Sequence, residues 1–331
     1  MNVRSRFVTL LSLTVLLTAS CAVDPVEDSN YSYDRVMQAW INTHYPGLKT
    51  YGDTGAYVLE MERGDGPAVT DSAYVWAHYT KRNLDQTITS TNIRQLAEQL
   101  GQYQVNADYG SDIWRVDQGY LPTALETVIK SMRGGGHATV ALPYSVSSHG
   151  TSVYSAFSGT LEDDNCIIDL TVDTVITDIY DYQERTMRAW FEEHYAVRDT
   201  AAEGLYFKML SGQAETDTIS EGASVKVRYI GRRLDGQVFD TNIEDTAKFY
   251  RIWKNGGSYN ALSVSFYKDD PEKLAENSVV DGFAKAVSLM NYGETAVTLF
   301  NSTLGYGEKG SAPAIPEYAP LIFWLYIEPK N

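Results

Sequence analysis

The sequence predicts an α+β protein built from two copies of one domain. Each copy is an antiparallel sheet wrapped on one short helix, and each is preceded by an amphipathic helix. Three observations carry this: a repeat at a fixed offset, a hydrophobic period that changes from helical to two inside each copy, and a length of 331 residues, which suits two domains of about 100–200 residues. Met37, Ala39, Trp40, His44 and Tyr45 recur as Met187, Ala189, Trp190, His194 and Tyr195, 150 positions later. Tyr79, Arg82, Leu84, Asp85, Thr91 and Asn92 recur as Tyr229, Arg232, Leu234, Asp235, Thr241 and Asn242 at the same spacing. Leu125, Val128, Ile129 and Met132 match Phe283, Ala286, Val287 and Met290 at an offset of 158, so a loop has changed length between the copies. Repeats of this kind define the architecture before any motif does.

In chain order, residues 1–20 read as a leader. Arg4 and Arg6 precede an apolar run from Phe7 to Ala19, the length of a signal h-region and too short to span a bilayer. Ala19 and Ser20 then precede Cys21, which resembles a bacterial lipobox, although Thr18 stands where Leu is usual. The expectation is a cleaved leader, a lipid on Cys21, and a flexible tether over 21–30. That would anchor the protein in the cell envelope, in the outer membrane of a Gram-negative-type cell. A helix over 31–45 opens the first copy, which occupies 46–178. A linker helix lies within 179–200, with Met187, Trp190, Phe191 and His194 on one face at helical spacing. The second copy occupies 201–331.

Within the copies Val225, Val227 and Tyr229 alternate with Lys226 and Arg228, and Ile168, Leu170 and Val172 alternate with polar residues, as in strands with one wet face. Leu321 to Ile327 is apolar throughout, as in a strand covered on both sides. Phe283 to Met290 has helical spacing, with Gly293 beyond it as a stop. Ile243, Thr246, Ala247 and Tyr250, with their counterparts Ile93, Leu96, Ala97 and Leu100, suggest a small inserted helix in each copy.

Composition narrows the function. A net charge of −16 argues against nucleic-acid binding, which needs a basic footprint. The five histidines lack ligand spacing and no Cys-x-x-Cys occurs, so no metal is expected. Gly134-Gly135-Gly136 lacks the Lys-Ser/Thr of a phosphate loop. Asp163-Asp164 and Asp269-Asp270 read as surface charge. Cys166, within an apolar strand pattern, reads as a buried thiol.

The motifs of the second copy resemble those of the FKBP-type peptidyl-prolyl isomerases. Val225-Lys-Val-Arg-Tyr229-Ile-Gly231 with Leu234-Asp-Gly-Gln-Val-Phe239-Asp240 is similar to that family's strand, turn and Phe-Asp pair. Val279-Val280-Asp281-Gly282-Phe283, Leu304-Gly305-Tyr306-Gly307, and Ile315-Pro316 with Leu321-Ile322-Phe323 follow in the family's order, covering about 204–328. The resemblance implies two FKBP-like domains. It implies catalytic roles for Tyr229, Phe239, Asp240 and Tyr306, and a substrate pocket lined by Val279, Val280, Phe283, Ile315 and Phe323. Phe283 stands where the family commonly has Trp. The implied reaction is cis-trans isomerisation of prolyl bonds in exported polypeptides, without a cofactor. A non-catalytic chaperone or assembly module using the same cleft is the alternative, and a ligand-binding lipoprotein a further one. In the first copy Thr89 and Ser90 replace Phe239 and Asp240, Leu125 replaces Phe283, Ile168 replaces Phe323, Ser148 stands for Tyr306, and the loop matching that of Ile315 reads as shortened. That copy is expected to be catalytically degenerate, and to position the second, to dimerise or to hold clients.

Overall fold

The sheets of the two copies correspond strand for strand. The structure, a computed structural model, describes residues 29–116, 119–147, 165–212, 218–276 and 279–330. The leader, Cys21 and Ser148 lie outside them. The first sheet comprises β1 (Tyr57–Glu62), β2 (Tyr74–Asn83), β3 (Ile88–Thr91), β4 (Asp112–Arg115), β5 (Gly136–Leu142) and β6 (Cys166–Ile176). Its order is β1-β5-β6-β2-β3, with β4 also on β2. The second sheet comprises β7 (Leu205–Ser211), β8 (Ser224–Arg233), β9 (Val238–Thr241), β10 (Leu262–Ser265), β11 (Thr295–Phe300) and β12 (Leu321–Ile327). Its order is β7-β11-β12-β8-β10, with β9 also on β8, the same path in the same sequence order. All ladders are antiparallel. The α+β class and the duplication read from the sequence are both present.

Each sheet is covered on two faces, not one. On the inner face lie α3 (Thr123–Lys130) in the first copy and α8 (Asp281–Ser288) in the second. Phe283, Ala286 and Val287 of α8 pack with Val225, Val227, Phe323 and Leu325. On the outer face α1 (Ser29–His44) buries Met37 and Ile41 against Ala141 and Ile167. There α5 (Ile179–Tyr195) buries Met187 and Phe191 against Tyr206, Val297, Leu299 and Ile322. This explains the unbroken apolar run of β12: Leu321, Phe323 and Leu325 face α8 while Ile322 faces α5.

The elements depart from the sequence expectations at their ends. Helix α5 begins before the apolar stripe does, because the Asp178 carboxylate accepts from the Tyr180 and Asp181 amides at 3.0 Å each and caps it. The inserted helices are α2 (Arg94–Gln99) and α6 (Glu244–Phe249). Two further short helices, α4 (Tyr144–Ser147) and α7 (Pro271–Ala275), have no periodic signature. Gly293 (φ +73°) is not the stop of α8, whose last residue is Ser288; it makes the turn into β11. The loop between the last two strands of the first copy is not shortened. It runs over residues 143–165, 23 in all, against 301–320, 20 in all, in the second. The sequence lacks a marker for the start of β6, so only the strand register fixes that loop's length.

The two copies are joined by more than α5. Ile113, Ile179 and Tyr318 form a buried cluster with Tyr74, Trp76 and Tyr182 between them. Around it, Arg115 Nη1 donates to Glu308 Oε2 at 3.0 Å and to the Tyr318 hydroxyl at 3.2 Å, and its guanidinium lies over the Tyr120 ring. The Tyr120 hydroxyl donates to Glu317 Oε1 at 3.1 Å. Burial pushes the Glu317 carboxyl up to about 7, against the pull of Tyr120 and Arg115, and the Asp112 carboxyl up to about 6. A folded-state acid raised above its unfolded value binds more protons than the unfolded chain between the two pKa values. It therefore stabilises less as pH rises through that window. The difference in Tm between Glu317→Gln and the parent should shift in the variant's favour as pH rises from 5 to 8. A difference independent of pH in thermal melts would contradict this.

Candidate active site

The inner face of the second sheet carries a cluster of interlocked aromatic rings at the C-terminal half of β8. Phe323 of β12 lies opposite Gly231 of β8. Its ring meets Phe283 edge-on at 5.4 Å and Phe239 at 5.7 Å, and stacks on Phe300 at 5.7 Å. Tyr229 closes the ring set, edge-on to Phe283 at 5.8 Å. Such edge-to-face contacts contribute beyond area burial, by about 0.5–1.5 kcal/mol each. Gly231 makes room for this arrangement: a Cβ there would lie 2.6 Å from Phe239 Cζ and 3.0 Å from Phe323 Cε1.

The other residues singled out in this copy lie in or beside the same apolar cluster. Phe283, Ile315 and Phe323 are buried; Tyr229, Phe239, Val279 and Val280 are half-buried and pack against the same cluster. Two polar groups stand at its rim. The Tyr229 hydroxyl donates to Asp240 Oδ2 at 2.7 Å. Tyr306 is 41% exposed and close enough to Asp240 to feel its charge. Burial, and then the Asp240 charge, raise both phenols above the ordinary tyrosine range, so each keeps its proton at neutral pH and can donate. Seven of the nine residues singled out in the second copy thus share one apolar cluster, Asp240 is bonded to Tyr229 at its edge, and Tyr306 lies near Asp240.

Several residues that build the site carry no site-like signature. Asn242 Oδ1 accepts from the Tyr229 amide at 2.9 Å while its Nδ2 donates to the Val227 carbonyl at 2.8 Å. The Thr241 hydroxyl donates to the Tyr229 carbonyl at 2.6 Å. These bonds fix β9, and with it Phe239 and Asp240, against β8. The first copy repeats them: Asn92 bridges the Tyr79 amide and the Ala77 carbonyl, and Thr91 bonds the Tyr79 carbonyl. The repeated Thr-Asn pair is therefore scaffold. Gln183 of α5, only 2% exposed, exchanges two hydrogen bonds with Ser302 at 2.9 and 3.0 Å and so sets the turn that leads to Tyr306. A polar residue four positions before Met187, on an otherwise apolar helix face, is the signal that would have found it.

The first copy packs this region differently. Trp114 of β4, at the position of Val264 in β10, is fully buried and packs on Tyr79 at 5.9 Å. Lys81 occupies the position of Gly231, opposite Ile168 in place of Phe323. The Tyr79 hydroxyl bonds Ser90 Oγ at 3.2 Å, at the position where Tyr229 bonds the Asp240 carboxylate.

The family comparison matches the second copy. Residues 215–327 match the family described as FKBP-type peptidyl-prolyl cis-trans isomerase. Over 147 residues the chain is 28% identical to a probable FKBP-type peptidyl-prolyl cis-trans isomerase of Haemophilus influenzae, covering 44% of this chain and 51% of that protein. Over 120 residues it is 26% identical to the FKBP-type 22 kDa peptidyl-prolyl cis-trans isomerase of Escherichia coli, covering 36% and 47%. The chain spans about half the length of these curated relatives. The C-terminal domain is homologous to the FKBP-type peptidyl-prolyl cis-trans isomerases.

Proposed function

We propose that the second domain catalyses cis-trans isomerisation of prolyl bonds in exported polypeptides, with Tyr229, Phe239, Asp240 and Tyr306 as the catalytic set. The observation that carries this reading is the aromatic cluster with two phenols and one carboxylate at its edge. The barrier to rotation, about 18–20 kcal/mol, is the loss of amide resonance, so neither a nucleophile nor a cofactor is required. The planar amide is the more dipolar form. A cleft walled by Phe239, Phe283 and Phe323 disfavours it relative to the twisted amide, and donors placed at the rim favour the transition state selectively. Tyr306 donates to a substrate carbonyl, and Asp240 holds Tyr229 in place. A thousandfold acceleration needs only about 4 kcal/mol of such differential binding.

The test is a protease-coupled isomerisation assay on the whole protein. The parent should accelerate a proline-containing peptide, and Tyr306→Phe should lower kcat/KM about tenfold, the loss of one rim donor. An unchanged rate in a folded variant would remove Tyr306 from the mechanism. No acceleration by the parent would leave a peptide-holding cleft and the chaperone reading. The first domain, which has Thr89 and Ser90 in place of Phe239 and Asp240, is assigned no turnover.

The leader and Cys21 support a lipid-anchored location in the cell envelope. Palmitate labelling that survives Cys21→Ser would exclude that anchor.

A further inference from the structure

The first domain reaches the proposed site of the second. A cavity of about 300 Å³ lies beside the aromatic cluster, at the lower end of the range for ligand sites, about 300–1,000 Å³. Val105 and Asn106 of the first domain line it together with Phe239, Asp240, Trp253 and Tyr259 of the second. Phe239 also packs against the aromatic cluster and Asp240 bonds Tyr229 at its edge, so the cavity adjoins the proposed site. The walls are two copies of one loop. The Tyr259 hydroxyl accepts from the Lys254 amide at 2.7 Å, and the Tyr109 hydroxyl from the Gln104 amide at 2.8 Å, 150 positions earlier.

The first-domain loop is held there, not merely near. Gln237 Nε2 donates to the Val105 carbonyl at 2.9 Å and the Ala107 carbonyl at 3.3 Å. The Asp108 amide donates to the Pro313 carbonyl at 2.8 Å, and Asp108 Oδ1 pairs with Arg233 Nη1 at 2.7 Å. Arg233 is 5% exposed and also pairs with Asp235 at 2.6 Å, so it is a buried charge held by two carboxylates, one from each domain. The loop thus ties the turn before β9 to the loop carrying Ile315, the two segments that flank the cleft.

We infer that Val105 and Asn106 form, with Trp253 and Tyr259, a subsite for the extended polypeptide segment adjoining the substrate proline. The first domain would then be a specificity element of the second domain's site. An extended chain advances about 3.3–3.6 Å per residue, so a segment leaving the aromatic cleft past Phe239 enters this cavity within a few residues. Trp253 and Tyr259 offer flat apolar faces, and the Asn106 carboxamide can pair with a peptide group. This inference rests on the proposed substrate class, but not on turnover.

The experiment measures binding of two fluorescent peptides to the whole protein by anisotropy: a four-residue peptide and a ten-residue peptide, each with a central proline. The longer should bind about tenfold more tightly to the parent. Asn106→Trp, which blocks the cavity, and Val105→Asp, which charges it, should each remove most of that advantage. No gain from lengthening, or a gain that survives both substitutions, overturns the inference. Binding is read without catalysis, so an inactive parent that keeps the length advantage would refute the isomerase reading and leave the subsite standing.

Discussion

Phe239→Ala should lower kcat/KM for a proline-containing peptide by about 30-fold while the protein stays folded. Phe239 stands edge-on to Phe323 and is half-buried, with one face open to the cleft. Fully burying a phenylalanine side chain is worth about 1.5–3 kcal/mol, and about 2 kcal/mol withheld from the transition state is a factor of about 30. The loss should fall mainly in kcat, because the apolar wall acts on the twisted amide more than on the planar one. Thermal melts should move by only a few degrees, since Phe283, Phe300 and Phe323 keep their mutual contacts. A wild-type rate in the folded variant would remove the aromatic wall from the mechanism.

The largest effect on stability is expected at Gly282. This residue is the second of α8, against Phe300, and a Cβ there would lie 2.3 Å from Phe300 Cγ. That atom is at the root of a fully buried ring stacked on Phe323, so it cannot swing aside. Gly282→Ala should cost about 3 kcal/mol, the upper part of the range for overpacking, despite the gain in helix propensity, about 1 kcal/mol. The first copy shows how the conflict is resolved. Ala124 stands at the position of Gly282, and Leu142 at the position of Phe300. The double variant Gly282→Ala with Phe300→Leu should therefore recover part of the stability lost in the single variant, and denaturant titration of the four species gives the coupling. Additive losses would show that the two positions do not compete for one space.

The duplication, the strand periods and the aromatic cleft were legible because each leaves a local mark. Tyr229 and Thr241-Asn242 are tied by side-chain bonds to nearby backbone, and such bonds demand the same residues in both copies. The divergence of the first copy was half legible. The absence of Phe239, Asp240 and Phe323 equivalents can be read off, but Trp114 packs on Tyr79 from a different strand, and no spacing rule links β4 to β3. The docking of the first domain was not legible at all. Asp108, Arg115 and Tyr120 look like ordinary loop and strand residues until the fold sets them against Arg233, Glu308 and Glu317. Contacts between elements far apart in sequence leave no periodic trace.

Two sheets with one strand order on one chain also bear on folding. A nascent protein of this kind could in principle trade equivalent strands between its halves, a failure typical of tandem domains. The register makes the trade unfavourable. Phe323 pairs opposite Gly231, and Ile168 opposite Lys81. If β12 entered the first sheet in place of β6, the Phe323 ring would face Lys81 in a core already occupied by Trp114. If β6 entered the second, Ile168 would leave the space around Gly231 unfilled. The divergence between the copies thus gives each final strand its best-fitting neighbour in its own half of the molecule.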